Sequence, residues 1–265
     1  MFSLNVMVLI NNSIRFPSGA LYKAKIGAPA TIPIPQSAKT FHDKLVVILK
    51  ELYTLDCRSS LDKNFRDKYN QALHLFETYQ NEIVRHYNRK ITCTKGCAWC
   101  CYHWVEDVYS FEAEIIADFL KTSRNHDLPA LREQLRDDEA ALVDLDNLVE
   151  KKLADSPYAG ELDDNDRIDL LLASYYQLKR PCPLLDDNGA CTIYPLRPLT
   201  CRIYVSFFDP RHCTPEVVDH EDSRTYLLNC EEPASAILDQ IHFKHLAFEE
   251  DTGLRSLLLK YLQEI

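Results

Sequence analysis

The sequence predicts a mainly α protein, a helical single domain with an irregular loop region rich in proline and cysteine. Apolar residues recur at helical spacing along most of the chain after residue 36. Six prolines interrupt residues 181–215, where long helices therefore cannot run. The 265-residue chain also holds ten cysteines. A chain of this length needs no disulfides to stabilise its core, so the cysteines require a chemical explanation.

The first segment, residues 1–36, is predicted to be an extended N-terminal arm or a short strand pair. It contains four prolines, and the alternation over residues 30–35 is extended rather than helical. The apolar start at residues 2–10 lacks a preceding basic segment and is interrupted by Asn5. We interpret it as a buried strand rather than a signal peptide, and on that interpretation we expect a cytoplasmic location. In a reducing compartment clustered thiols more often bind metal than form disulfides.

Residues 37–265 are predicted to form the helical domain. The first helix is expected to begin at Ser37 as its N-cap, and a second helix is expected over residues 60–87. Ser110 is the predicted N-cap of a third helix that ends near residue 120. Further helices are expected over residues 128–153, 164–178 and 234–261. The acidic stretch 137–166 is interpreted as a solvated insertion, because charge runs are usually exposed faces.

Charge and motif content exclude several classes of function. The 30 basic residues against 40 acidic ones give a net charge of −10, so there is no general basic field to bind nucleic acid. No stretch approaches the roughly 20 apolar residues that span a bilayer, so no membrane association is expected. A protein partner of unknown identity is left open. The sequence has no nucleophile elbow, P-loop or dinucleotide fingerprint, and no catalytic residue is assigned.

Two cysteine groups carry the strongest chemical signal. The first group, Cys-x3-Cys-x2-Cys-Cys, comprises Cys93, Cys97, Cys100 and Cys101, and the second comprises Cys182, Cys191, Cys201 and Cys213. The vicinal Cys100 and Cys101 project about 100° apart on a helix and to opposite faces of a strand. A tetrahedral zinc site or an iron–sulfur cubane needs ligands from several directions, so at least one ligand must come from outside the first group. The spacing therefore predicts a metal site that joins distant segments.

These motifs resemble the YkgJ-like cysteine-cluster family, a zinc- or iron-chelating domain with eight characteristic cysteines. The resemblance rests on the first group, on Cys-Pro-Leu-Leu and Cys-x-Ile-Tyr-x-x-Arg-Pro-x-x-Cys-Arg in the second, and on a later cysteine. It covers roughly residues 93–213. It implies that the eight cysteines named above, in the motifs 93–101 and 182–213, are the metal ligands. Many members have two residues where this chain has three between Cys93 and Cys97.

The cofactor is predicted to be an iron–sulfur cluster, [4Fe–4S], or zinc. Four thiolates around either group give the same formal charge of −2, so charge does not choose between them. Arg197 and Arg202 are the predicted cofactor-binding residues, and Lys95 and Arg180 could also offset that charge. His103 and His212 are alternative ligands or proton relays, and Cys230 is an alternative ligand. One centre with spare thiols and two four-ligand centres both stay open.

Three functions follow from these expectations. The first is a metal-binding protein with a redox or modification activity. The second is a zinc-stabilised structural or metal-handling protein without catalysis, in which the metal contributes folding free energy only. The third comes from resemblance, because the flagellin lysine N-methylase has a similar cysteine cluster. No glycine-rich loop of the kind that cradles a nucleotide-like methyl donor accompanies that cluster here.

Overall fold

Helices dominate the part of the chain that the structure describes. The structure is a computed structural model and describes residues 8–10, 13–15, 30–94, 96–123, 126–154, 164–214, 226–248 and 253–263. The α-helices in these ranges are α1 Gln36–Thr54, α2 Lys63–His86, α3 Ser110–Thr122, α4 Leu128–Ala154, α5 Asp164–Gln177, α6 Thr200–Ile203, α7 Ala234–Lys244 and α8 Gly253–Gln263. The predicted mainly α fold is confirmed. None of the described helices is both long and apolar enough to cross a membrane.

A small sheet joins residues 30–31 to the cysteine-bearing loops, and a separate strand pair lies near the chain start. The strands β1 (Val8–Ile10) and β2 (Ser13–Arg15) pair in an antiparallel hairpin. The strand β3 (Ala30–Thr31) pairs in parallel with β5 (Tyr226–Leu227), and β4 (Tyr204–Val205) pairs with β5 in the antiparallel sense. These pairs agree with extended structure in residues 1–36. Residues 32–35 have no regular secondary structure and Gln36 is already the first residue of α1, while the other residues of the predicted N-terminal arm lie outside the described ranges.

The first hydrophobic core lies among α1, α2 and α7. Apolar side chains at steps of three and four residues bury one face of each helix, among them Leu49, Leu52 and Phe65. Each such side chain contributes about 1.5–3 kcal/mol when it leaves water. From the loop region Leu199, Ile203 and Val205 also join this core. The core thus supports one side of the cysteine-bearing loops.

A second core lies between α3, α8 and the start of α4. Ile116, Leu120, Leu135 and Leu258 are fully buried in it. Cys182 and Cys191 pack against its edge. The cysteine-bearing loops therefore lie between two hydrophobic cores and contact both.

Helix starts differ from the prediction in their capping residues. Helix α1 begins at Gln36 after Pro35, so Ser37 lies inside the helix and is not its N-cap. Helix α3 begins at Ser110 itself, and the preceding Tyr109 donates its backbone N–H to Glu112 Oε2 at 3.3 Å. The Ser110 hydroxyl instead lies 2.9 Å from Tyr261 Oη, because the α3 start is buried against α8. Both predicted N-caps are therefore wrong, although both helices exist.

The predicted boundaries of other helices hold to within a few residues, with one exception. The tail predicted as helix over residues 234–261 is two helices, α7 and α8, and residues 249–252 between them lie outside the described residues. The predicted solvated insertion is wrong over residues 137–154. There α4 buries Leu145, Val149 and Leu153 in a third core with Trp104 and Tyr175. The rest of that stretch before α5 is not described.

An ion-pair network ties this third core to the C-terminal helix. Asp138, which is 1% exposed, accepts from Arg255 Nε at 3.0 Å and from Arg180 Nε at 2.7 Å. Arg255 Nη1 also donates to the backbone carbonyl of His103 at 2.9 Å. A buried carboxylate is stable only when paired in this way. Asp138 therefore has a structural role, although it lies in a stretch whose acidic composition suggested solvent exposure.

Candidate metal centre

Three segments carry the eight predicted ligands. The first cysteine group leads into a 3₁₀ turn, Trp99–Tyr102. Residues 182–192 form a tight hairpin, and residues 201–213 run from α6 through β4 to a second 3₁₀ turn, Pro210–Cys213. The predicted irregular proline- and cysteine-rich loop region is therefore present. The two 3₁₀ turns contact each other.

The hairpin is fixed by its own turn residues. Asp186 Oδ1 accepts backbone N–H groups from Asn188 at 2.9 Å and from Ala190 at 2.8 Å. Gly189 has φ +74°, which favours glycine, and an isolated bridge joins Leu185 to Cys191. The Cys182 backbone N–H donates to the Cys101 carbonyl oxygen at 2.8 Å. Backbone hydrogen bonding thus connects the first cysteine group to the second.

Ser206 connects the first group to the end of the second. Its backbone N–H donates to Cys93 Sγ at 3.3 Å, and its hydroxyl is hydrogen bonded to the Cys213 thiol. Its carbonyl oxygen accepts from Thr92 N at 2.9 Å. Tyr176 Oη on α5 donates to the Cys213 carbonyl oxygen. The last predicted ligand is therefore held beside the first one.

Backbone N–H groups reach four of the sulfurs. Besides the Ser206 bond to Cys93, the backbone N–H groups two residues after Cys97, Cys182 and Cys191 act to lower the pKa of those thiols. A hydrogen bond to a sulfur favours the thiolate over the neutral thiol. These four donors therefore suit thiolate ligands.

Burial raises the pKa of most of these thiols. It raises the pKa of Cys93 to about 11 and that of Cys201 well above its ordinary value. Cys100 is the exception, since the hydrogen bond from the Cys101 thiol, together with the positive charge of Arg197, lowers its pKa to about 7. The same hydrogen bond raises the pKa of Cys101. Cys100 is thus the thiol in this group that ionises most readily.

The eight cysteines share one neighbourhood. Each of them interacts electrostatically with at least one other. Among the described residues, however, no three His, Cys, Asp or Glu side chains stand in an arrangement that could hold a metal ion. The thiols approach one another without converging on a single point. Their assignment as ligands stays a prediction.

The two predicted cofactor-binding arginines have different surroundings. Arg197 lies 4.2 Å from the centroid of the Tyr194 ring, and its charge acts on Cys100 and Cys191. Its buried Nε has no hydrogen-bond acceptor within the described part of the chain. Arg202 donates to the carbonyl oxygens of Arg197 and Pro195, at 2.9 and 2.7 Å, and to Glu77. Arg197 is therefore available to an anionic centre. Arg202 fastens the motif to α2.

Arg180 and His103 have partners other than the eight cysteines. Arg180 pairs with Asp138. His103 stacks on Tyr176 with ring centroids 3.8 Å apart, and burial lowers its pKa to about 4. His212 lies in the second 3₁₀ turn, next to Cys213. Lys95 lies outside the described residues.

The two remaining cysteines belong to the first hydrophobic core. Cys230 is 8% exposed there, and burial raises its pKa to about 12. Cys57 packs against the same core at the end of α1. Of the eight predicted ligands, none is among the groups that act most strongly on either thiol. Both residues therefore serve as natural controls for the cluster.

Two residues beside the site were missed from the sequence. Ser206 carries no motif, and only the structure shows its bonds to Cys93 and Cys213. Glu112 accepts the backbone N–H of Leu199 at 2.8 Å, two residues before Cys201. Glu112 is the third residue of α3, where a glutamate commonly caps the helix start, so that spacing could have drawn attention to it.

A family model matches the part of the chain that contains these eight cysteines. The model of the CxxCxxCC family, described as a "putative zinc- or iron-chelating domain", matches residues 92–230, which is more than half of the chain. The chain belongs to the CxxCxxCC family. This membership confirms the resemblance to YkgJ-like proteins, while the similarity to flagellin lysine N-methylase stays a prediction. No curated protein and no solved structure matches the chain.

This CxxCxxCC chain departs from the family name in its first spacing, which has three residues instead of two. A hydrogen bond of 2.9 Å from Cys97 N to Thr94 O closes a turn there. Gly96, at the third position of the turn, has φ +91°, a conformation that favours glycine. The turn accommodates the additional residue between Cys93 and Cys97.

Proposed function

We propose that this CxxCxxCC protein holds an iron–sulfur cluster through its cysteine thiolates and uses it in redox chemistry. The observation that carries the proposal is the Ser206 N–H that donates to Cys93 Sγ at 3.3 Å. Beside it, the backbone N–H groups two residues after Cys97, Cys182 and Cys191 act to lower the pKa of those thiols. Such donors lower the cost of keeping several negative sulfurs together. A cluster of neutral, structural thiols would gain little from them.

Arg197 supports an anionic centre of this kind. Its guanidinium acts on Cys100 and Cys191, and its buried Nε lacks an acceptor among the described residues. Such a donor would hydrogen bond to a sulfur and offset part of the negative charge, which raises the reduction potential. Bound in this place, a cluster supplies one-electron chemistry, and the chain supplies its ligands and charge.

Structural zinc is the second candidate, and a different observation favours it. Cys182 and Cys191 pack against the second core, while Leu199 and Ile203 belong to the first. A centre at this position would tie the two cores together whether or not it did any chemistry. Zinc would serve that purpose as well as iron would.

Anaerobic purification distinguishes the two candidates. We expect a brown protein that contains iron and acid-labile sulfide, with both lost in Cys182→Ala and Cys201→Ala. The matched controls are Cys57→Ala and Cys230→Ala, which remove thiols outside the cluster and should leave the iron content unchanged. A colourless protein that contains zinc would overturn the redox proposal in favour of the structural one. A protein without metal would overturn both.

A further inference from the structure

A cleft of about 370 Å³ lies between α2 and α3, and no cysteine is among the residues that line it. Leu73 of α2 and Ile115 and Phe119 of α3 provide apolar walls, while Leu196 lines the cleft from the cysteine-bearing loop. Proteins bind small molecules in pockets of this size, which combine apolar walls with a few polar groups. The charged side chains of the cleft therefore determine which ligand fits it.

The more exposed charges of the cleft are paired with one another. Lys63 pairs with Asp67 on α2. Arg66 Nη1 lies 3.1 Å from Asp118 Oδ2, so this second pair bridges the two helices. The remaining charged lining residue is Glu112, which takes part in no ion pair within the described ranges. Two cations against three carboxylates leave the lining with a charge of −1 when Glu112 is ionised.

The Glu112 carboxyl has room for a further donor. It is 3% exposed, and its Oε1 accepts from Tyr69 Oη and from Leu199 N. Among the described groups, only Tyr109 N donates to Oε2, at 3.3 Å. A carboxylate offers about four acceptor positions, so Oε2 keeps unused capacity. Burial raises the pKa of Glu112 to about 7, which shows that these donors leave the ionised form incompletely compensated.

We propose that the cleft between α2 and α3 binds a small organic amine, with the ammonium group directed at Glu112 and the apolar part on Leu73, Ile115 and Phe119. An ammonium group brings one positive charge and several N–H donors, so it would make the lining neutral and complete the hydrogen bonding of the carboxylate. An anionic ligand would instead add to the negative charge. The proposal does not depend on whether the cysteines hold a metal.

Three probes with the same apolar body test the charge preference on the full-length wild-type protein. They are phenethylamine, phenethyl alcohol and hydrocinnamate, which are cationic, neutral and anionic at pH 7. We expect the amine to bind about tenfold more tightly than the alcohol, because a hydrogen bond to a charged group typically changes an equilibrium constant by that factor or more. The anion should bind most weakly. Titrations followed by NMR measure all three affinities.

The same titrations locate the binding site without any variant. Backbone amide signals of α2 and α3 should shift when the amine binds. Equal affinities for the three probes, tighter binding of the anion, or shifts confined to other helices would overturn the proposal.

A matched pair of variants tests the role of Glu112. Glu112→Gln should weaken amine binding about tenfold and leave binding of the alcohol unchanged, which also shows that the cleft is intact. The control is Glu114→Gln, two residues further along α3, because Glu114 accepts from the Ser60 hydroxyl and does not line the cleft. The control should bind the amine as the wild type does. Equal losses in the two variants would attribute amine binding to the general acidity of the protein and overturn the proposal.

Discussion

Glu112 is a buried carboxyl that couples helix α3 to the cysteine loops. It is 3% exposed and accepts from Tyr69 Oη, from Leu199 N at 2.8 Å and from Tyr109 N at 3.3 Å. Burial raises its pKa to about 7, and the three donors offset only part of that effect. The ionised form is therefore tolerated rather than preferred near neutral pH.

We expect Glu112 to make stability fall as the pH rises. Its folded pKa of about 7 lies above the unfolded value of 4.5, so its contribution is complete below pH 4.5 and is lost as the pH passes through 7. Between about pH 5.5 and 8 this loss is about 2 kcal/mol. Urea unfolding at both pH values measures it. In Glu112→Gln the loss should shrink by that amount, and an unchanged pH dependence would contradict the assignment.

Cys100 is the thiol whose ionisation can be followed in the metal-free, reduced protein. The hydrogen bond from Cys101 and then the charge of Arg197 lower its pKa to about 7. We expect Cys101→Ala, and to a smaller extent Arg197→Gln, to raise this pKa. Alkylation of Cys100 at pH 7, measured by peptide mass spectrometry, should then slow several-fold. Arg180→Gln is the control, because Arg180 pairs with Asp138, and an equal effect there would argue against a local cause.

The sequence predicts residue types at the site better than it predicts residue roles. Spacing and resemblance found the eight cysteines that the structure brings into one neighbourhood. They did not distinguish Arg197, whose Nε finds no acceptor in the described ranges, from Arg202, whose guanidinium donates to backbone carbonyls. Both arginines fit the same motif, so their roles depend on contacts between distant segments. Ser206 was not predicted, because its role also depends on contacts between distant segments.

At the scale of elements, the start of α8 depends on a glycine. Gly253 has φ +84°, and a Cβ there would lie 2.5 Å from the Val105 carbonyl oxygen and 2.9 Å from Trp104 Nε1. The following Leu254 N donates to that same carbonyl oxygen at 2.8 Å. The close approach fixes α8 against the segment that follows the first cysteine group.

We therefore expect Gly253→Ala to lower the free energy of unfolding by more than backbone strain would by itself. We expect a loss of about 3 kcal/mol in the free energy of unfolding, from strain at positive φ and from the steric overlap. Gly189→Ala is matched in backbone, with φ +74°, but its nearest contact would be 3.8 Å away, so its cost should be about 1 kcal/mol. Chemical denaturation at equal metal content compares them. Equal losses would show that crowding at Gly253 has no effect.

Helices were predictable where an apolar stripe ran for several turns, as in α1, α2 and α3. Their caps were not, because Pro35 and Glu112 act in place of the serines that the pattern favours. The prediction that the acidic stretch in α4 is a solvated insertion was wrong for a related reason. Its buried face is sparse, and one of the buried positions is Asp138, whose partner Arg255 comes from α8.

At the scale of the whole molecule, the cysteine loops lie between two cores that share few other residues. Leu196 packs against both cores, the hairpin packs against the second core through Cys182 and Cys191, and Ile203 of α6 belongs to the first. A metal centre here would make the two cores unfold together. Cooperative unfolding then depends on the bound metal as well as on burial.

We expect metal removal to separate the two cores in stability. In the metal-free protein, amide exchange should accelerate about tenfold or more in α3 and α8, a change of at least about 1.4 kcal/mol, while α1 and α2 keep most of their protection. Hydrogen–deuterium exchange with mass spectrometry on the holo and metal-free proteins measures this. The control is Cys230→Ala, which keeps the metal. Uniform acceleration across all four helices would contradict the separation.

The two cysteine groups are divided by α3, α4 and α5, and this division has a consequence during synthesis. Ribosomes add about 5–20 residues per second, so roughly 4–16 s pass between the emergence of Cys101 and that of Cys182. During that interval the first four thiols have none of the later cysteines to complete a ligand set. During translation the nascent chain therefore carries four reactive thiols for several seconds before the cysteines that would complete its metal centre have been synthesised.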